Sequence, residues 1–416
     1  MRRRWWTGTW GMPIWGPAIL AVAAMFGCAR VPTGPIVRDG RGGAPTDPPN
    51  VTRKIVRFET GREGARSNLD ASWLAQRMRD THTPSVSIAL INETAIEWAH
   101  GYGVLAAGEA VSTPETLYQA ASLSKAVSTF ATLRLVEGNQ LSLDEDVNVA
   151  LRSWQVPVAE QSRLQPVSLR SILSHTSGLS VSGFVGYEPG KAVPSLKQIL
   201  NGTPPANSAP IRVTFTPGSR QSYSGGGFVV LQQILSDTQR EPFEQALNQL
   251  VFEPLEMKHS LFAVQLPGEL ALSAARGHDA RGNVLRGNWH LYPELAAAGL
   301  WTTPTDLARF ALGLLQAREG KSALLSRSSA ELMTMRQFGN YALGFAVRGA
   351  PPNSAFGHAG ANAGFRCSML LFPARGQGAV VMTNGESGHV LVRDIMHALS
   401  QLYGWPALTP QDEGRP

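Results

Sequence analysis

The chain has 416 residues, of which 43% are hydrophobic and 16% charged. That is enough apolar mass for a large buried core and too few charges for a solvated scaffold. The formal charge of +6 sits at the front, on Arg2, Arg3 and Arg4 and on a basic excess over residues 28–66; the near-neutral remainder excludes a nucleic-acid surface, and two cysteines exclude a disulfide framework.

Taken in chain order, Arg2–Arg4 precede a charge-free stretch from Trp5 to Ala29. A basic segment followed by an apolar one predicts an export signal over residues 1–27. It ends in Ala24-Met25-Phe26-Gly27-Cys28, which resembles a bacterial lipobox and marks Cys28 for lipidation. The competing readings are a plain signal and a retained membrane anchor, and Pro13, Gly16 and Pro17 argue against an unbroken spanning helix. The expected location is the bacterial cell envelope, exported, held by lipid at Cys28 or else periplasmic or membrane-anchored. Residues 28–65, rich in Gly, Pro and Arg, read as a flexible tether.

A catalytic body is expected over 66–405, with a short tail at 406–416. Its first elements are a helix over 69–80 and two strands, Val86–Leu90 and Ala95–Ala99, joined as a hairpin. The first strand alternates as a half-buried one would. From Ser122 a helix carries Leu123, Ala126, Val127, Phe130 and Leu133 as an apolar stripe and closes near Gly138. Further helices are predicted around 169–173, 228–236, 243–250 and 305–316. Strands return over 341–347, 355–358, 365–372 and 379–383, before a last helix over 389–403. Strands at both ends with helices between them predict an α+β fold. An antiparallel sheet built from both chain ends and flanked by helices (66–117 and 301–405) would carry an inserted, mostly helical lobe (118–300), with a cleft between.

Three segments carry chemistry. Ser122-Leu123-Ser124-Lys125 puts a hydroxyl and an amine on one face of a helix start. A serine hydroxyl is a poor nucleophile until a base takes its proton, and a partly desolvated amine can do so. In a serine-rich chain the motif alone is weak, but Phe215–Phe228 supplies Tyr223 and Phe356–Phe365 supplies His358-Ala359-Gly360. No Gly-x-Ser-x-Gly elbow, zinc-ligand spacing or phosphate-binding Gly loop appears, so neither metal nor cofactor is implied. Cys367, in a strand-like run, reads as a small buried residue.

Together these segments resemble, in order, the three motifs of the superfamily that contains class C β-lactamases, DD-peptidases and related esterases. Val167–Leu179, Leu300–Phe310 and Ala379–Gly385 agree with it, so the resemblance runs from about Thr83 to the last helix. It implies the β-lactamase/transpeptidase-like fold. It implies that Ser122 is the nucleophile, that Lys125 shares its proton, and that Tyr223 is a phenol drawn toward phenolate which moves protons. His358 stands where many members have Lys and would polarise Tyr223 or meet a substrate carboxylate. Gly360 would let a substrate backbone lie against its strand, and the oxyanion hole would use the N–H groups of Ser122 and Ala361. Gly225 replaces an Asn that contacts the substrate's acylamino arm in the lactamases. His175 reads as structural, at a helix-to-loop corner.

The expected function is therefore a serine hydrolase that forms an acyl-enzyme on ester, amide or lactam carbonyls. The substrate would be a small molecule or a peptidoglycan-derived acyl compound. The alternative is a penicillin-recognising sensor or binding protein of the same fold with little turnover. Nothing in the chain indicates an oligomeric state.

Overall fold

A computed structural model of the chain describes residues 49–61 and 72–406, all within the second of two units into which the chain divides, Pro35–Pro416. The expected signal, Cys28 and most of the tail lie outside the described residues.

The frame is a six-stranded antiparallel sheet. Its members are β1 (Ser85–Asn92), β2 (Ala95–Gly103), β6 (Ala346–Arg348), β7 (Ala355–Asn362), β8 (Phe365–Phe372) and β9 (Gln377–Thr383), in the spatial order β2-β1-β9-β8-β7-β6. The N-terminal hairpin thus pairs with the C-terminal meander through β1 and β9, with Val86 opposite Thr383 and Leu90 opposite Ala379. A second sheet of three short strands, β3 (Tyr118–Gln119), β4 (Leu261–Phe262) and β5 (Leu300–Thr302), lies within the mostly helical middle of the chain.

Strand β1 lies between β2 and β9 and has an apolar cluster on each face, so it is not the half-buried strand its alternation predicts. Val86, Ile88 and Leu90 join one apolar cluster with Leu391, Ile395 and Leu399 of the last helix, Gly388–Tyr403. Ala89 and Ile91 face the other cluster, built from helices Leu123–Glu137, Gly225–Gln239 and Pro304–Arg318. The small side chains Ser87 and Ala89 mimic a polar alternation, but they are spacers that let a helix approach.

Two expectations are corrected. The tether does not continue unstructured to residue 65, because Pro49–Thr60 is a helix. Val51, Ile55 and Phe58 recur at helical spacing among its charges, and Ile55 and Phe58 are buried beside Trp98. The strand expected over 341–347 is confined to Ala346–Arg348. Gly344 adopts φ +79° with its backbone pressed on Thr129, a left-handed conformation that breaks an extended run.

Candidate active site

Ser122 sits at the N-cap of helix Leu123–Glu137. The backbone before it is strained: Ala121 adopts φ +48°, a region uncommon for non-glycine residues. Three contacts fix this corner. The Cys367 thiol donates to Ala120 O at 3.0 Å, the Ser124 hydroxyl donates to Ala121 O at 2.5 Å, and Leu300 N–H donates to Ser124 Oγ at 3.1 Å. Cys367 is buried, and burial pushes its thiol up to about 12, so it is the inert packing residue its context predicts.

One turn on, Lys125 Nζ lies 3.0 Å from Ser122 Oγ and donates to Ala297 O at 2.7 Å. The lysine is 2% exposed, and its amine lies over the rings of Tyr223, at 5.1 Å, and Phe228, at 5.6 Å. No carboxylate forms an ion pair with it among the described residues. Desolvation therefore disfavours the charged form, and burial lowers its pKa to about 7. Near neutral pH a substantial fraction of Lys125 is free amine.

Tyr223 is held by the rings around it and by a hydrogen bond between its hydroxyl and Ser122. Its ring stacks on His175 at 4.2 Å between centroids and lies 6.1 Å from the ring of His358. His175 Nδ1 accepts from Ser224 N–H at 3.1 Å, and Ser222 N–H donates to His175 O at 2.8 Å. His175 is thus the structural support expected of it, bracing the tyrosine segment on both sides. The phenolate expected at Tyr223 is not favoured. Burial drives its pKa well above the ordinary tyrosine value, a hydrogen bond with Ser122 offsets part of this, and nearby Tyr341 adds to it.

His358, on β7, is 7% exposed, and its Nδ1 lies 2.6 Å from Ala359 O. A carbonyl can only accept, so Nδ1 carries the proton and Nε2 keeps a lone pair. Nε2 is buried without a partner among the described residues. Burial and the nearby Lys125 lower the His358 pKa to about 4. The ring is therefore neutral, and it supplies no positive charge for a substrate carboxylate. Its remaining expected role is as an acceptor close to Tyr223.

Strand β6 covers β7 only from Ala355 to Gly357, which leaves the outer edge of β7 without a strand from His358 onward. Ala359 and Ala361 are exposed there while their neighbours are buried. Gly360 does not face that opening. A Cβ on it would collide with Ala120 O and with the Cys367 Sγ, so the glycine lets β7 close on the segment that carries Ser122. Gly225 begins helix Gly225–Gln239 and is buried. A Cβ on it would lie 3.0 Å from the Phe184 ring and 3.1 Å from Ser182 O, so the space of an Asn side chain at this position is occupied by loop 180–184.

Sequence reasoning missed Ala297 and Tyr341. Ala297 acts through its carbonyl, which has no side-chain signature. Tyr341 packs edge-on against His175 at 5.0 Å, but it read as one residue of a strand. Asn362 was also missed: its amide donates to Gln119 Oε1 at 2.8 Å and to Ala298 O at 3.1 Å, tying the end of β7 to the turn that anchors Lys125. No group of three or more His, Cys, Asp or Glu among the described residues is placed to hold a metal ion.

The sequence profile of the family described as Beta-lactamase matches residues 71–402. Penicillin-binding protein 4 of Amycolatopsis lactamdurans is 26% identical over 341 residues, covering 76% of this chain and 85% of that protein. Protein flp of Staphylococcus aureus (strain MW2) is 25% identical over 323 residues, which span 74% of this chain but only 61% of flp. Among solved structures, the octameric penicillin-binding protein homologue from Pyrococcus abyssi superposes with a TM-score of 0.64 at 22% identity, covering 80% of this chain and 76% of that one. The D-amino acid amidase from Ochrobactrum anthropi SV3 superposes with a TM-score of 0.66 at 19% identity, covering 85% and 98%. These structural likenesses establish the fold, and the profile match over most of its length makes the chain a member of the Beta-lactamase family.

Proposed function

We propose that the protein is a serine hydrolase that works through an acyl-enzyme on Ser122. The observation that carries this reading is the buried Lys125 amine, 3.0 Å from Ser122 Oγ, anchored on Ala297 O and titrating near 7. Neutral Lys125 takes the hydroxyl proton as Oγ attacks an ester, amide or lactam carbonyl. The backbone N–H groups of Ser122 and Ala361 receive the developing oxyanion. Tyr223 is protonated at rest in this scheme. It passes its proton to the leaving group and recovers one from Lys125, and water then releases the acyl group.

A neutral His358 and an occupied space at Gly225 withdraw two features that would favour a β-lactam. Ester or amide substrates that bring no carboxylate to His358 therefore fit this site better than an antibiotic. The names of two similar proteins, a penicillin-binding protein and a D-amino acid amidase, fit acyl chemistry in either setting.

The test is intact-mass analysis after exposure to a serine-reactive fluorophosphonate, a short-chain ester and a penicillin. One adduct per chain is expected with the phosphonate, and none in Ser122→Ala. Labelling that persists in Ser122→Ala would refute the assignment. A stable acyl adduct with no turnover would indicate a sensor that acylates once.

A further inference from the structure

We infer that a pocket beside the tyrosine segment, with Arg212 on its wall, receives a carboxylate at the end of a short apolar arm on the acyl part of the substrate. This inference rests on the acyl-enzyme reading above and names the substrate class that such a site would take.

The pocket has a volume of about 480 Å³ and lies between loop 180–185 and the segment 207–214, a size suited to a small organic group. It adjoins the reaction centre through backbone contacts. Gly225 N–H donates to Ser182 O at 3.1 Å and Gly226 N–H to Val181 O at 2.9 Å, while the Phe184 ring packs over Gly225. Gly225 is two residues from Tyr223, a reach of at most ~7 Å along the chain.

The lining fits one chemistry. It contains no acidic side chain, and its only cation is Arg212. That guanidinium donates to Ile211 O at 2.8 Å, is exposed, and has no carboxylate partner among the described residues. Arg presents a planar fork of donors, most of which are left for a ligand. On the same wall the Ser208 hydroxyl is buried without a hydrogen-bond partner, an unmet polar atom of the kind that a ligand oxygen satisfies. Val181, Phe184, Val185 and Pro210 supply the apolar surface for the arm.

The walls are set before any ligand arrives. Ser180 Oγ donates to Pro210 O at 3.1 Å and accepts from Arg212 N–H at 2.9 Å, and Thr214 Oγ1 donates to Gly178 O at 2.8 Å. Val181 is held at φ +67°, a strained conformation for a β-branched residue that persists only where surrounding contacts enforce it. The arm belongs to the acyl part because a leaving group bound by an ion pair would be retained after its bond had broken. No covalent step beyond the acyl-enzyme cycle is involved.

The test compares p-nitrophenyl butyrate with the mono-p-nitrophenyl ester of glutaric acid at low ionic strength. The wild type should prefer the acid-ended ester, and Arg212→Gln should lower the ratio of the two kcat/KM values about tenfold. Arg212→Lys should restore part of that ratio, and Ser208→Ala should lower it less. A wild type indifferent to the carboxylate, or a ratio unchanged in Arg212→Gln, overturns the proposal. If neither ester is cleaved, calorimetry on Ser122→Ala decides the pocket independently of the hydrolase reading. Glutarate binding that is lost in Ser122→Ala/Arg212→Gln supports it, and no binding of glutarate overturns it.

Discussion

A lysine that titrates near 7 has two consequences that do not depend on the substrate. Only the free amine can take the Ser122 proton, so the acylation rate should climb about tenfold per pH unit below pH 7 and level off above it. Stopped-flow acylation across pH 5–9 checks this, and a flat profile would remove Lys125 as the base. Stability should carry the same signature. Between about 7 folded and 10.5 unfolded the unfolded chain binds the extra proton, so the protein becomes more stable as pH rises through that window. Lys125→Met should flatten the rise in urea denaturation midpoints over pH 7–10. Tyr223→Phe, which removes the hydroxyl of the proposed proton relay and keeps the ring on His175, should slow turnover about a thousandfold and leave the melting temperature nearly unchanged.

At the scale of elements, the site is a corner where β7 presses on the segment before helix Leu123–Glu137. Gly360→Ala tests that packing. Its methyl would collide with Ala120 O, so the variant should lose about 1–3 kcal/mol of stability and acylate poorly. A variant that folds normally and labels at the wild-type rate would show that the close approach is not needed. Much of this corner was legible in the sequence: the Ser122–Lys125 spacing, the order of the three motifs, and the runs that became β1, β2, β8 and β9. What stayed hidden has a common cause. The Ala297 carbonyl, the direction in which Gly360 would point a side chain, and the closure of loop 180–184 over Gly225 are tertiary facts carried by backbone. Residue type encodes them only as the permissiveness of Gly and Ala. The electrostatic state was hidden for the same reason: Tyr223 and His358 are set chiefly by burial, which sequence order does not reveal.

At the scale of the whole molecule, the helix Pro49–Thr60 is part of the folded body. Phe58→Ala should cost about 3 kcal/mol, read by urea denaturation, whereas an exposed tether residue would cost nothing. The same scale governs how the body is assembled. Val86 and Thr383 are partners in the sheet although nearly 300 residues separate them, and β1 has no neighbour on that side until β9 has been made. Long-range pairing of this kind slows folding and leaves unfinished chains exposed. A ribosome must therefore release the chain through β9 before the Ser122 corner can form, so premature termination anywhere before β9 should yield an inert chain rather than a weakened enzyme.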